Sequence, residues 1–339
     1  MKKGLLIAVV MLLIAFFLAA PMTASAQTKQ YKWRLAQVHP VDSDYDIRAK
    51  AFAKEVKEKT NGRIDITVYS GGVLGDWTEN TEMVMRGAIE MALAPVAPTY
   101  DPRLNIAYYL PYVAETYEKA KKTYTRDGFL FKMVVELFAP LNVQGLGVFP
   151  VGASGCTLRD VPPSPGDPDV PKKQKIRVMP LKLCELTYKR LGYIPTAIPY
   201  AEAYSAIQTG VADGEMGGPP FQGYQFRDIQ KCWIQYNDYF ETWWFILHKK
   251  LWDELSPEDQ KIIIAAIDRQ VAGRWDYVMQ EDEQYRKEME KAGLKVIMLS
   301  EEELAKCAAA IRKDVWPEME AMVGKAIMDK IYEAVGIKK

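Results

Sequence analysis

Two periodicities alternate along the chain. Tyr31 to Val38 reads as a strand, and from Asp46 to Lys59 the residues Ala49, Phe52, Ala53 and Val56 fall at the i, i+3, i+4, i+7 spacing of one helix face. Asn61-Gly62 stops that helix. Ile64, Ile66 and Val68 then alternate with Asp65 and Thr67, a strand with one wetter face. The glycine turn from Ser70 to Gly75 leads into a helix through Arg86, and Ile89 to Ala94 returns as a strand. Thr116 to Phe138 reads as one helix, and Val143 to Phe149 as a strand. This rhythm calls for an α/β fold with a mostly parallel sheet covered by helices.

At Pro150 the texture changes. Pro162, Pro163, Pro165, Pro168 and Pro171 make a stiff extended loop that is neither helix nor inner strand. Alternation resumes with strands at Lys175–Val178 and Ile194–Ile198, each followed by a helix, Leu181–Leu191 and Glu202–Thr209. Residues 27–150 therefore form a first lobe and 151–238 a second. Tyr239–Leu247 reads as a strand that rejoins the first lobe, so 239–281 belongs there, and 282–339 is expected to supply helices packing on the second. Ser256-Pro257-Glu258 opens a helix, with serine able to cap and proline suited to the first turn. No strong breaker follows until Gly293, so at roughly 1.5 Å per residue the helix approaches about 55 Å, unless it breaks near Gly273. A helix laid across both lobes explains that length.

The first residues do not belong to this pattern. Lys2 and Lys3 precede an apolar run from Leu5 to Ala20, and Ala24-Ser25-Ala26 completes the form of a secretory leader cleaved after Ala26. An uncleaved anchor is the alternative. Of 339 residues, 44 are basic and 44 acidic, and loss of residues 1–26 removes two lysines and no acid. That balance argues against a nucleic-acid partner. With two histidines, a multi-histidine metal site is not expected. Cys156, Cys184, Cys232 and Cys307 lie far apart without a C-x-x-C pair, and bridges or buried thiols fit them equally.

Signals for catalysis are weak. Gly72-x-x-Gly75 lacks the full dinucleotide fingerprint and reads as a tight turn, although a helix N-terminus there can hold an anion. Gly152-Ala153-Ser154-Gly155 lacks the second spaced glycine of a hydrolase elbow. His39 and His248 have no triad context. Arg177, on a short strand after the proline loop, offers a planar guanidinium that can take a carboxylate through two parallel hydrogen bonds; an ordinary edge-strand arginine is the alternative. Trp77, Tyr200 and the Trp243-Trp244 pair are aromatic candidates for a cleft. Adjacent strand residues face opposite ways, so only one of the two tryptophans can share it. Met216-Gly217 is either a turn or backbone brought close to a ligand.

Longer stretches carry a resemblance. Asn61-Gly62-Arg63-Ile64, Leu74-Gly75 and Gly87-Ala88-Ile89-Glu90-Met91 lie in the first lobe. Lys175-Ile176-Arg177-Val178 and the run from Glu202 to Gly214, read E-x-Y-x-A-I-Q-T-G-x-x-D-G, lie in the second. With these the chain resembles the solute-binding proteins of tripartite ATP-independent periplasmic (TRAP) transporters, of the DctP type. The resemblance implies a two-lobed periplasmic-binding-protein-like fold, a long helix spanning both lobes, and no catalysis or cofactor. It implies capture of a small organic acid in the periplasm and delivery to the small and large membrane permease subunits. The family arginine that pairs with the substrate carboxylate falls on Arg177, and the cleft-lining position before A-E-x-Y falls on Tyr200.

The chain also departs from the pattern. Where the family often writes D-G-Q-E-N, this sequence has Asp213-Gly214-Glu215-Met216-Gly217. A second arginine found in sialic-acid-type members is missing, and Ser154 stands near its place. Trp77 occupies a spot that is polar in sugar-acid binders. These changes keep the carboxylate anchor and remove sugar-type partners. The expected ligand is a monocarboxylate with an apolar or aromatic body, held by Arg177 with Trp77, Tyr200 and Trp243 or Trp244, in an open, hydrated cleft. His39, Ser154, Met216 and Gly217 complete the expected lining. A monomer or weak dimer is expected. An exported sensor or interaction module is the alternative reading, and an exported α/β hydrolase a more distant one.

Overall fold

The computed structural model describes residues 29–95 and 98–337, so the leader and its cleavage point lie outside the described residues. In chain order the strands are β1 Tyr31–Ala36, β2 Ile64–Tyr69, β3 Met91–Ala94, β4 Val143–Ala153, β5 Gly155–Leu158, β6 Lys175–Val178, β7 Ile194–Ala197, β8 Gly214–Gly217, β9 Cys232–Gln235, β10 Phe240–His248 and β11 Lys295–Met298. They form two sheets, ordered β2-β1-β3-β10-β4 and β11-β9-β5-β8-β6-β7. Sheet and helices together give the two-lobed α/β architecture. β1 and β3 run parallel, while β10 returns antiparallel between β3 and β4.

Two strand pairs carry the chain between the sheets. β4 continues through Ser154 into β5, and β9 continues through Asn237 into β10. At the crossing Ser154 donates its N–H to the Tyr239 carbonyl (3.0 Å) and accepts from the Asn237 N–H (2.9 Å). Pro150 does not end the strand. It lies inside β4, opposite Thr242, where the pairing slips so that Gly152 faces Glu241. A bulge tolerates proline because the ladder is already interrupted there. Arg274 takes up the freed carbonyls, donating from Nε to Pro150 (2.9 Å) and from Nη2 to Val151 (3.3 Å).

The spanning helix runs unbroken from Pro257 to Lys291, 35 residues and therefore about 52 Å long at roughly 1.5 Å per residue. Ser256 caps it by accepting from the Asp259 N–H. It lies on β4 and the helix Asp44–Lys59 at one end and on Pro220–Tyr224 and β11 at the other. Gly273 does not break it: Arg48 lies so close that a Cβ there would sit 2.6 Å from its Nη1.

Two expectations change. The helix anticipated over Thr116–Phe138 is two helices, Tyr117–Tyr124 and Phe129–Phe138. The chain folds back between them so tightly that a Cβ on Gly128 would meet the Thr123 carbonyl oxygen at 2.2 Å. The C-terminal helices do not pack on the second lobe alone. Glu301–Asp314 lies against Lys182–Arg190, but Trp316–Val323 packs on Pro102–Leu104 and Lys325–Ala334 on Phe129–Phe138. Buried Trp316 fixes this course, donating its indole N–H to the Pro111 carbonyl (2.8 Å). All four cysteines are free and buried.

Candidate functional site

A cavity of about 540 Å³ opens where the ends of β3 and β10 in one sheet meet β6 and β8 in the other. Arg177 is its basic side chain. β6 lies between β7 and β8, which covers both edges of its backbone, and Arg177 is only 2% exposed. Its Nε donates to the Ile198 carbonyl (2.7 Å), and the Tyr200 ring lies 5.6 Å from the guanidinium carbon.

Across the β6–β8 pairing Arg177 stands opposite Glu215, and Nη1 donates to its Oε2 (3.3 Å). The expectation of an arginine without a protein partner, kept solvated by an open cleft, is therefore corrected: the buried Glu215 carboxyl takes one of its donors. Burial pushes the Glu215 carboxyl up from 4.5 to about 8, and Arg177 opposes that rise. Its Oε1 has no hydrogen-bond partner among the described residues. Gly217 leaves room for it, since a Cβ there would lie 3.0 Å from that oxygen.

The walls are aromatic. Trp77 opens the helix Trp77–Arg86, whose start is fixed by Asp76 accepting from the N–H groups of Thr78 (2.7 Å) and Glu79 (2.9 Å). Its indole lies 6.3 Å from the Tyr108 ring. Tyr200, half exposed, begins the helix Tyr200–Gln208 and donates to Gln225 Oε1 (2.9 Å). Strand alternation separates the two tryptophans: Trp243 lines the cavity, whereas Trp244 is 1% exposed and stacks on Phe131 at 5.6 Å. Met216 and Gly217 also line the cavity.

His39 and Ser154 are not part of the lining. His39 lies between Tyr45, 3.5 Å away, and Trp243, 4.5 Å away, and supports the indole from behind. Burial, with a smaller push from Arg274, lowers its pKa to about 4, so it is neutral at ordinary pH. Ser154 is fully buried at the crossing, donating to Asp238 Oδ1 (2.7 Å) and accepting from the Tyr239 N–H (3.0 Å). Both are placed to hold the cavity's frame.

Glu215, Glu241, Tyr108, Tyr239 and Gln222 escaped the sequence reading. Glu241 faces the cavity on β10, accepting from Trp243 Nε1 (3.2 Å) and Gln222 Nε2 (3.0 Å). Burial raises its carboxyl from 4.5 to about 7. Its position two residues before Trp243 was the available signal, because strand residues two apart share a face. Glu215 had a weaker one: it directly follows the Asp213-Gly214 end of the long motif. Among the described residues no group of three or more His, Cys, Asp or Glu side chains is arranged to hold a metal ion, and no helix is long and apolar enough to cross a membrane.

Comparison with known proteins gives a consistent result. The family model for bacterial extracellular solute-binding proteins, family 7, matches residues 35–321. A solute-binding protein of Chromohalobacter salexigens is 27% identical over 255 residues, covering 74% of each chain. The C4-dicarboxylate-binding periplasmic protein DctP of Rhodobacter capsulatus is 27% identical over 254 residues, covering 72% of this chain and 73% of that one. In fold, the chain is similar to a TRAP periplasmic solute-binding protein from Ochrobactrum anthropi, with a TM-score of 0.82 at 22% identity over 91% of this chain and 96% of the other.

Proposed function

The chain belongs to the bacterial extracellular solute-binding proteins of family 7, and from that premise we propose that its cavity takes an organic acid by the carboxylate, anchored on Arg177. At family level it is a binding protein that captures a solute outside the cytoplasmic membrane and delivers it to a TRAP permease. The observation that carries the anchor is the incomplete use of Arg177. Of the five N–H donors of a guanidinium, two have partners among the described residues, Ile198 and Glu215. The side chain also lines an otherwise largely apolar cavity. A carboxylate taking the remaining donors gains charge-assisted hydrogen bonds.

The body of the ligand meets Trp77, Tyr108, Tyr200 and Trp243. Ring faces favour a flat or apolar skeleton over a polyhydroxylated one, because hydroxyls placed against them lose hydrogen bonds to water without replacement. The cavity is built from both lobes, so a ligand held on both sides favours the closed arrangement, with the two crossing strand pairs as the hinge. Ser154, Asn237 and Tyr239 tie those strands together. The leader of residues 1–26 fits export to the periplasm, and a monomer or weak dimer is the form we propose.

A thermal-shift screen of the mature chain against small organic acids tests this reading. A ligand at a hundred times its dissociation constant adds about 2.7 kcal/mol of stability. Stabilisation by flat or apolar acids that disappears in Arg177→Ala supports the anchor. Stabilisation that survives in that variant rejects it.

A further inference from the structure

Two groups lay claim to Arg177: the carboxylate of a ligand and the carboxyl of Glu215. The strand pairings of the second sheet place Thr157 on β5, Glu215 on β8, Arg177 on β6 and Thr196 on β7 in one row. Neighbours in such a row share a face of the sheet. Thr157 and Glu215 are fully buried. Met216 and Gly217, which follow Glu215, line the cavity, but Glu215 itself does not. It meets a ligand only through Arg177.

The hold of Glu215 on the guanidinium is loose. A single nitrogen reaches it, at 3.3 Å, whereas charged N–H···O pairs close to roughly 2.7–2.9 Å. The Arg274–Glu281 pair, by contrast, lies at 2.6 Å. The second oxygen of Glu215, Oε1, has no hydrogen-bond partner among the described residues, and neither has the Thr157 hydroxyl at the next position of the row. An acid so placed can carry a proton: Oε2 accepts from Arg177, and Oε1 is free to bear the hydrogen, with a neutral hydroxyl at the neighbouring position able to accept it. Burial favours the same form, raising the carboxyl to about 8.

A ligand carboxylate on Arg177 adds to this. With Glu215 ionised, two negative charges would share one guanidinium inside the protein, and carboxylates that share a site do not both stay ionised. We propose that Glu215 is a positioning residue that takes a proton from solvent onto Oε1 as the acid binds and returns it as the acid leaves, so that Arg177 faces one anion at a time. The inference rests on the carboxylate anchor and adds to it a proton linked to capture. Proton and acid then strengthen each other's binding by the same factor.

The other titratable groups about Glu215 are few. β5 brings Cys156, β6 brings the exposed Lys175 besides Arg177, and the helix Tyr200–Gln208 brings Tyr200 and the exposed Glu202. Burial holds the Cys156 thiol and the Tyr200 phenol protonated. Across the cavity stands Glu241, raised to about 7, whose titration has to be told apart from that of Glu215.

Calorimetric titration of the mature chain with benzoate, cyclohexanecarboxylate and acetate reads the proton directly. All three acids are ionised from about pH 7 to about pH 9, so a pH dependence there belongs to the protein. At about pH 9 the heats in Tris and in borate should differ by the amount that corresponds to about half a proton or more taken up per acid bound, and affinity should be about fivefold or more weaker than at about pH 7. Glu215→Gln, shaped like the protonated side chain, should remove the uptake and bind as tightly at the higher pH as at the lower. Glu241→Gln should keep the uptake. The inference is overturned by binding through Arg177 without proton uptake, by uptake that survives in Glu215→Gln, or by uptake that disappears in Glu241→Gln. The first of these is read on the wild type and needs no variant to fold. Binding that is lost in Arg177→Ala but brings no proton with it in the wild type removes this inference alone. Binding indifferent to Arg177→Ala, or no binding by any of the three acids, removes the anchor as well.

Discussion

Two buried arginines differ in how many of their donors the chain itself uses. Arg274, on the spanning helix, is fully buried; it donates to the Pro150 and Val151 carbonyls and to the carboxylates of Asp44 (3.1 Å) and Glu281 (2.6 Å). The rings of Tyr45, Phe149 and Tyr277 lie 5.1, 5.4 and 5.2 Å from its guanidinium carbon. Arg177 is nearly as buried, yet it has one carbonyl, one carboxylate and one ring. The difference lies in donor use. A guanidinium whose hydrogen bonds are almost all made inside the chain is part of the frame, and one left with free donors beside a cavity can take a ligand, as proposed for Arg177.

That contrast can be broken most forcefully at Arg274. Arg274→Ala should cost about 3–5 kcal/mol of stability, because it strands the Glu281 carboxylate, leaves Asp44 to Arg48 alone and reopens the bulge in β4. Urea denaturation measures the loss, and a change below about 1 kcal/mol would mean that Arg274 is not structural. Next in size is Arg177→Lys. A lysine keeps the charge but not the planar fork, so affinity for the bound acid should fall about tenfold or more while the unfolding midpoint moves little. Equal affinity in this variant would show that charge alone is recognised.

Glu215 sharpens the comparison through pH. Its carboxyl lies near 8 in the folded protein and at the usual 4.5 when exposed. Between those values the folded state holds more protons than the unfolded chain, so stability falls as pH rises from about 4.5 to about 8. Glu241, raised to about 7, and Asp238, raised to about 6, act in the same direction over narrower ranges. Glu215→Gln should flatten the fall between pH 7 and 8. An unaltered slope there would mean that Glu215 is ionised throughout. The smallest effect belongs to Tyr200→Leu, which removes one exposed cation–π face and should weaken binding by roughly two- to fivefold, about 0.5–1 kcal/mol. A titration with the same acid reads it directly.

Features set by local chemistry were legible in the sequence. Ala49, Phe52, Ala53 and Val56 are all buried on one helix face, and Ser256 with Pro257 marks the start of the spanning helix. The resemblance, carried by its motifs, led to the family and to Arg177. Features set by which strands come together were not legible. Glu215 matters because the β6–β8 register places it opposite Arg177, and no local pattern announces that pairing. The choice between Trp243 and Trp244 needed the packing of Phe131 and Phe138, and the break before Gly128 needed a backbone contact. His39 and Ser154 were expected on the cavity, and both are spent on supporting it: one behind Trp243, the other at the crossing of the lobes.

The proposal that Arg177, unlike Arg274, keeps its free donors for a ligand can be tested in one titration. The most direct test takes the acid that stabilises the mature protein most and titrates it calorimetrically into the wild type and Arg177→Ala. Arg177→Ala should lose at least about tenfold in affinity while still unfolding in one cooperative transition, at a midpoint lowered by the loss of Glu215's partner. Undiminished affinity in a folded Arg177→Ala protein would contradict it.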